Sequence, residues 1–182
     1  MNKLYISWSG VLKYGTILSI IVTALVILGF LIEPLIFATD LPEEVQKQIG
    51  EIPNSAMYLS LGVFLSIVFS CIFLSYKMIM EAFKERLSQA SYLNFLINSF
   101  LLLNFMSLWD VIIIDILIFD TIQPGFMTIK GLESIVREKT TAAFHFIGFI
   151  KGIPYLLIFA AIAAGITLLL SKKARRQRAI NS

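Results

Sequence analysis

Residues Asn104–Asp120 have the sequence NFMSLWDVIIIDILIFD, an apolar run that contains three aspartates. The run is long and apolar enough to lie in the hydrocarbon core of a membrane. A carboxylate at mid-membrane costs roughly 2.5–3.5 kcal/mol on insertion scales, so an intramembrane acid points to a function by default. Asp110 and Asp115 therefore need partners or shielding from elsewhere in the chain.

The composition as a whole is that of a membrane protein. Of the 182 residues, 58% are hydrophobic and 15% are charged, and the mean hydropathy is +0.84. The net charge of +3 comes from basic residues beside apolar runs, which favours lipid over nucleic acid as the partner. One cysteine, Cys71, and one histidine, His145, exclude a thiolate-pair site and a multi-histidine metal or haem site within one chain. We predict no cofactor and no bound metal.

Four apolar runs predict an all-α fold with four transmembrane helices in one bundle and a single membrane domain. Residues 1–15 favour a short interfacial helix that leads into an uncleaved first span. Pro42 with two following glutamates predicts a short surface helix, and residues 131–139 predict a second. The predicted spans are 15–37, 57–79, 92–119 and 142–170; the loops and ends are 38–56, 80–91, 120–141 and 171–182.

The distribution of lysine and arginine predicts the orientation. Basic residues accumulate near the first end, in the 80–91 connection and in the 171–182 tail, whereas the 38–56 loop is acidic. By the positive-inside rule both termini are cytoplasmic, in a multi-pass protein of the plasma membrane, and loops 38–56 and 120–141 lie outside. The basic tail is predicted to contact anionic lipid or to act as a stop-transfer anchor.

Ionisable side chains from three spans fall at similar depths in the outer half of the bilayer. At about 1.5 Å per residue, Asp115 lies about 7 Å and Asp110 about 15 Å inside the outer end of the third span. Lys151 lies about 12 Å inside the fourth span, with His145 near its surface. We expect these side chains to form one polar cluster; its predicted members are Glu33, Asn104, Asp110, Asp115, His145 and Lys151.

The pairing within this cluster follows from helical geometry. At about 100° per residue, Asp110 and Asp115 are roughly 140° apart, and Asn104 shares the Asp115 face. The preferred pair is Asp115 with Lys151, with Asp110 as the alternative partner. Gly148 and Gly152 have a G-x-x-x-G spacing that favours close helix packing. The Asp–Lys pair would either fix the register of the two helices or line an outward-facing chamber. The acids of the polar cluster, together with His145, would in principle also suit one divalent cation.

The second half of the chain resembles a group of small bacterial integral membrane proteins with four spans and no established function. The resemblance rests on a W-D-x4-D span at Trp109–Phe119 and an F-H-F-x-G-F-x-K-G span at Phe144–Gly152. It implies that Asp110, Asp115, His145 and Lys151 belong to one shared site, and it implies no activity. The intervening loop departs from the pattern at residues 129–133, which removes support for a role of that loop.

Three functions remain open at this level. The first is binding or passing a proton, an ion or a small polar solute through the polar cluster, in a single chain or a homo-oligomer. The second is an accessory or immunity-like subunit that docks on another membrane protein. The third is a membrane-embedded enzyme for a lipid-type substrate, which the lack of a known catalytic signature disfavours.

Overall fold

The computed structural model describes residues 4–84 and 91–180, and side chains as far as Lys172. Within these residues the protein is all-α, as predicted, and contains no strand. Four helices are long and apolar enough to cross a membrane, which is consistent with the predicted four-helix bundle. The connection at residues 85–90 and the side chains of the basic tail beyond Lys172 lie outside the described part of the chain.

The helices follow one another with short connections. Helix α4 continues directly into a π-helix, and two 3-10 turns lie in the loops at Ala38–Asp40 and Gly125–Met127. The elements are α1 (Trp8–Ile32), α2 (Glu43–Ile49), α3 (Asn54–Ala82), α4 (Tyr92–Trp109), the π-helix (Asp110–Ile122), α5 (Glu133–Lys139) and α6 (Ala142–Ile180).

The two short helices were predicted from local sequence. Pro42 is the N-cap of α2, and Glu43 and Glu44 occupy its first turn, where acids complement the helix dipole. Gly50 ends this helix with a φ of 75°, a left-handed conformation that glycine adopts without a Cβ clash. Helix α5 lies within the predicted range 131–139.

The ends of the long helices differ from the predicted spans. Helix α1 begins at Trp8 and stops at Ile32, so most of the predicted interfacial helix is simply its first part. Asp120 lies inside the π-helix, which continues to Ile122, three residues beyond the predicted end of the third span. Helix α6 runs on to Ile180, because a run of lysine and arginine has good helix propensity and needs no apolar surroundings.

The chain divides into two compact units, and each of the four long helices contributes residues to both. Among the described residues, unit 1 comprises 4–18, 69–84, 91–106 and 152–180, and unit 2 comprises Ser19–Val68 and Ser107–Lys151.

Unit 1 holds the N-terminal segment against α4 through two buried asparagines. The backbone N–H of Tyr5 donates to Asn94 Oδ1 at 3.0 Å, and that of Ser7 donates to Asn98 Oδ1 at 2.8 Å. Asn98 Nδ2 in turn donates to the carbonyl of Tyr5 at 2.8 Å. The Tyr5 ring packs edge-on against Phe83. These asparagines therefore provide hydrogen-bond partners for the backbone N–H groups of Tyr5 and Ser7 and for the Tyr5 carbonyl, just before α1 begins.

Unit 2 is packed around the folded end of α1. The turn after Ile32 places Ile36, 2% exposed, so close to Gly29 that a Cβ on this glycine would lie 2.7 Å from the Ile36 Cδ1 atom. The Phe30 ring contacts Phe37 edge-on at 5.3 Å. The glycine at position 29 therefore leaves room for the Ile36 side chain where the chain folds back on its own helix. Other buried apolar side chains of this unit are Val45, Val111, Ile114 and Met127.

Large apolar side chains remain exposed along all four long helices, as in Ile20, Phe69, Leu117 and Ile150. Exposed apolar area of this extent is unfavourable in water but suits a helix surrounded by lipid. The fold therefore indicates an integral membrane protein with a bilayer around it.

Candidate functional site

Three aspartates recur at five-residue intervals in a segment whose backbone has the matching period. Asp110, Asp115 and Asp120 all belong to the π-helix. A π-helix forms i→i+5 hydrogen bonds, so residues five apart come to the same side, as residues four apart do in an α-helix. The expectation that Asp110 and Asp115 diverge assumed an α-helix and does not apply here. π-Helical turns are rare in proteins, and those that occur are often found at functional sites.

His145, on α6, bridges two of these carboxylates with its two ring nitrogens. His145 Nδ1 lies 3.1 Å from Asp115 Oδ2. His145 Nε2 lies 3.4 Å from both Asp120 Oδ2 and Asp120 Oδ1. We call these three residues the Asp–His–Asp cluster. One imidazole thus connects two acids on consecutive turns of the π-helix.

The cluster is largely buried yet reachable. The side chain of His145 is 10% exposed, against 30% for Asp115 and 18% for Asp120. Buried Thr140 places its hydroxyl 3.3 Å from Asp120 Oδ1 and 2.8 Å from the Val136 carbonyl. A hydroxyl that can donate to either acceptor stabilises the Asp120 carboxylate without neutralising it.

Two further aspartates of unit 2 act on the cluster through their charge. Asp110 interacts electrostatically with Asp115 and His145. Asp40, in the loop after α1, is exposed as a residue. The pKa of Asp40 is raised because packed protein desolvates its carboxyl and, secondly, because the charge of Asp115 disfavours its ionised form. This region thus contains four interacting carboxylates and one imidazole, an excess of acid.

The preferred Asp115–Lys151 pair is wrong. Asp115 is paired with His145, and Lys151 is exposed without a salt bridge to any carboxylate in the described chain. The reason is geometric: Lys151 lies six residues after His145, about 120° away around an α-helix. When His145 faces Asp115, Lys151 therefore lies on a different face of α6 and points away from Asp115.

Two other predicted members of the polar cluster form local contacts instead. Glu33 accepts a hydrogen bond from the backbone N–H of Leu35 through Oε1 at 3.2 Å, which stabilises the turn after α1. Asn104 belongs to unit 1, and its Nδ2 donates to the Phe100 carbonyl at 2.8 Å. Neither contact involves the Asp–His–Asp cluster.

The packing role predicted for Gly148 and Gly152 is not used within the described part of the chain. Apart from the adjoining backbone of α6 and the two chain neighbours, no described atom lies within 4 Å of the position that a Cβ would take at either glycine. Close packing of these glycines against another protein molecule stays a prediction. Within the described ranges, no three side chains of histidine, cysteine, aspartate or glutamate are grouped so that they could hold a metal ion.

Asp120 was missed as a site residue because it was taken as the end of a span. The signal that identifies it is the repetition of aspartate at five-residue intervals, which matches the i→i+5 hydrogen bonds of a π-helix and not the i→i+4 bonds of an α-helix.

Comparison with known proteins adds no family to this picture: no family model, curated protein or solved structure matches the chain. The resemblance to small four-span bacterial proteins stays a prediction.

Proposed function

We propose that the Asp–His–Asp cluster binds a proton and passes it between Asp115 and Asp120 within the membrane domain. The observation that supports this is the use of both ring nitrogens of His145 toward two separate carboxylates. Imidazole is the side chain best suited to accept a proton on one nitrogen and release one from the other near neutral pH.

The relay conserves atoms and charge at each step. Protonated Asp115 gives its proton to Nδ1 of His145, whose Nε2–H is given to the Asp120 carboxylate. The imidazole then holds the proton on Nδ1, and a rotation of the ring that turns this N–H toward Asp120 restores the starting tautomer. The net result is a proton moved from Asp115 to Asp120, which fits a pathway for protons better than a site for a large solute.

The cost of these acids supports a functional role. Carboxylates within a membrane segment are rare because they are expensive, and those that persist mark proton relays and ion pathways. In the predicted orientation, with both termini cytoplasmic, the cluster lies toward the outer surface. The pathway would then open to the outside first.

The chain offers a direct test because His145 is its only histidine. Protein labelled with ¹⁵N in histidine alone gives ring-nitrogen NMR signals that belong to His145 without further assignment. We expect both signals to change with pH in one transition, and Asp115→Asn and Asp120→Asn each to shift that transition. Lys151→Met is the matched control, since Lys151 is on the same helix but outside the cluster.

The opposite outcome would be equally clear. If His145 titrates as a free imidazole does, with the same midpoint in the parent, Asp115→Asn and Asp120→Asn, no proton is shared across the cluster. The proposal would then be withdrawn.

A further inference from the structure

A groove of about 380 Å³ lies in unit 2, between the loop that follows α1 and the first part of α3. Its volume is within the range of small-molecule sites. Most of its lining is apolar, and the polar groups on it are Thr39, Asp40 and Ser60. The groove is open rather than enclosed, and no part of the Asp–His–Asp cluster lines it.

The apolar wall of the groove belongs to a membrane-spanning helix. Met57, Leu61 and Phe64 line the groove from α3 and are 54%, 54% and 50% exposed. In a bilayer the medium around such a helix is hydrocarbon. A ligand that packs against this apolar wall is therefore expected to have an aliphatic chain.

The polar end of the groove has a definite sign of charge. Asp40 lines it, and the adjoining sequence from 39 to 55 contains four acids, Asp40, Glu43, Glu44 and Glu51, against the single Lys47. Lys47 is itself engaged with Glu43 at 3.8 Å. This surface repels an anionic headgroup and attracts a cationic one. The hydroxyls of Thr39 and Ser60 add hydrogen-bond donors that suit phosphate oxygens.

We propose that this groove binds one phospholipid whose headgroup carries a primary ammonium, with an acyl chain along Leu61 and Phe64 and the ammonium at Asp40. An ammonium in this position offsets the desolvation that raises the pKa of the Asp40 carboxyl. No residue of the Asp–His–Asp cluster lines the groove. Asp40 and Asp115 interact through their charges, but lipid binding in the groove does not require proton transfer through His145.

Native mass spectrometry of the detergent-purified full chain tests the proposal. The probes are phosphatidylethanolamine and phosphatidylglycerol with identical acyl chains, added in equal amounts. We expect one phosphatidylethanolamine retained per chain in preference to phosphatidylglycerol. Asp40→Asn and Leu61→Ala should each reduce that retention about tenfold, since each removes one side of the recognition.

Two substitutions serve as matched controls. Glu51→Gln removes an acid of the same loop that does not line the groove, and Leu65→Ala shortens a leucine of α3 that is 56% exposed but lies outside it. Both should retain phosphatidylethanolamine as the parent does. Because Asp40→Asn and Leu61→Ala alter different parts of the groove, failure of one of them to fold leaves the other to decide.

Three results would overturn the proposal. One is equal retention of the two lipids by the parent. Another is a loss in Leu65→Ala equal to that in Leu61→Ala, which would indicate annular lipid only. The third is a parent that retains no lipid at all.

Discussion

At the level of single residues, His145 is the side chain on which the site depends. Its two ring nitrogens lie within reach of two carboxylates, and at 10% exposure the ring is shielded from most competing water. A partly buried imidazole between two acids presents one ring nitrogen to each of them, as the transfer of a proton through the ring requires. Neither acid alone would define both ends of a proton path.

The sequence identified most of these residues but paired them wrongly. Asp115 and His145 were singled out because ionisable groups are expensive in a membrane, and that argument needs no coordinates. Whether His145 or Lys151 faces Asp115 depends on the rotation of α6 about its own axis. Depth along a helix can be counted from sequence, whereas rotation is set by tertiary packing.

Asn98 is a buried residue of unit 1 whose side chain bonds to the backbone of the N-terminal segment. In Asn98→Ala the backbone N–H of buried Ser7 loses its partner, and so does the carbonyl of Tyr5. We expect the free energy of unfolding to fall by about 1–3 kcal/mol, the cost of leaving a buried polar group unsatisfied. Denaturation of the purified protein in mixed micelles measures the change.

Asn104→Ala provides the comparison for this prediction. Asn104 is on the same helix, but its amide donates only to its own helix at Phe100, so its loss should cost clearly less. If both substitutions lowered the free energy of unfolding equally, the hydrogen bonds of Asn98 to the N-terminal segment would add no stability beyond that of a bond within one helix.

At the level of secondary structure, the π-helix brings the acids of the site together. Residues 115 and 120 would be about 140° apart around an α-helix, too far to contact one imidazole. In the π-helix they share a side. Apolar periodicity over this segment cannot distinguish the two helices, because nearly every residue between the aspartates is apolar. The change of helix type was therefore beyond sequence reasoning, although the spacing of the aspartates matches it.

Double-mutant cycles test the π-helical register. The Asp115→Asn/His145→Gln and Asp120→Asn/His145→Gln cycles should both give coupling energies of about 0.5–3 kcal/mol, the range for residues in direct contact. The Asp115→Asn/Lys151→Met cycle, for the pair favoured by sequence alone, should give a coupling near zero. Unfolding of each variant in mixed micelles at neutral pH measures all three.

An α-helical register would give a different pattern. Only one of the two aspartates would then couple to His145, and the other would behave as an independent site. That result would contradict the arrangement of the cluster described above.

At the level of the whole molecule, hydropathy alone was enough to predict the fold class. Backbone N–H and C=O groups in hydrocarbon must be satisfied internally, which leaves helices as the spanning elements for runs of this length. The four spans followed directly from this constraint. The orientation with both termini cytoplasmic rests on the lysine and arginine bias and stays a prediction, as do docking on a membrane partner and formation of a homo-oligomer.

Proton flux through the reconstituted protein is the most direct test of the proposed relay. A pH-sensitive dye inside liposomes, with a potassium diffusion potential of either sign, reports proton entry. We expect flux above that of protein-free liposomes in the parent and in Lys151→Met, and a loss of about tenfold or more in His145→Gln. Flux that is absent under both signs of the potential, or that is unchanged in His145→Gln, would contradict the relay.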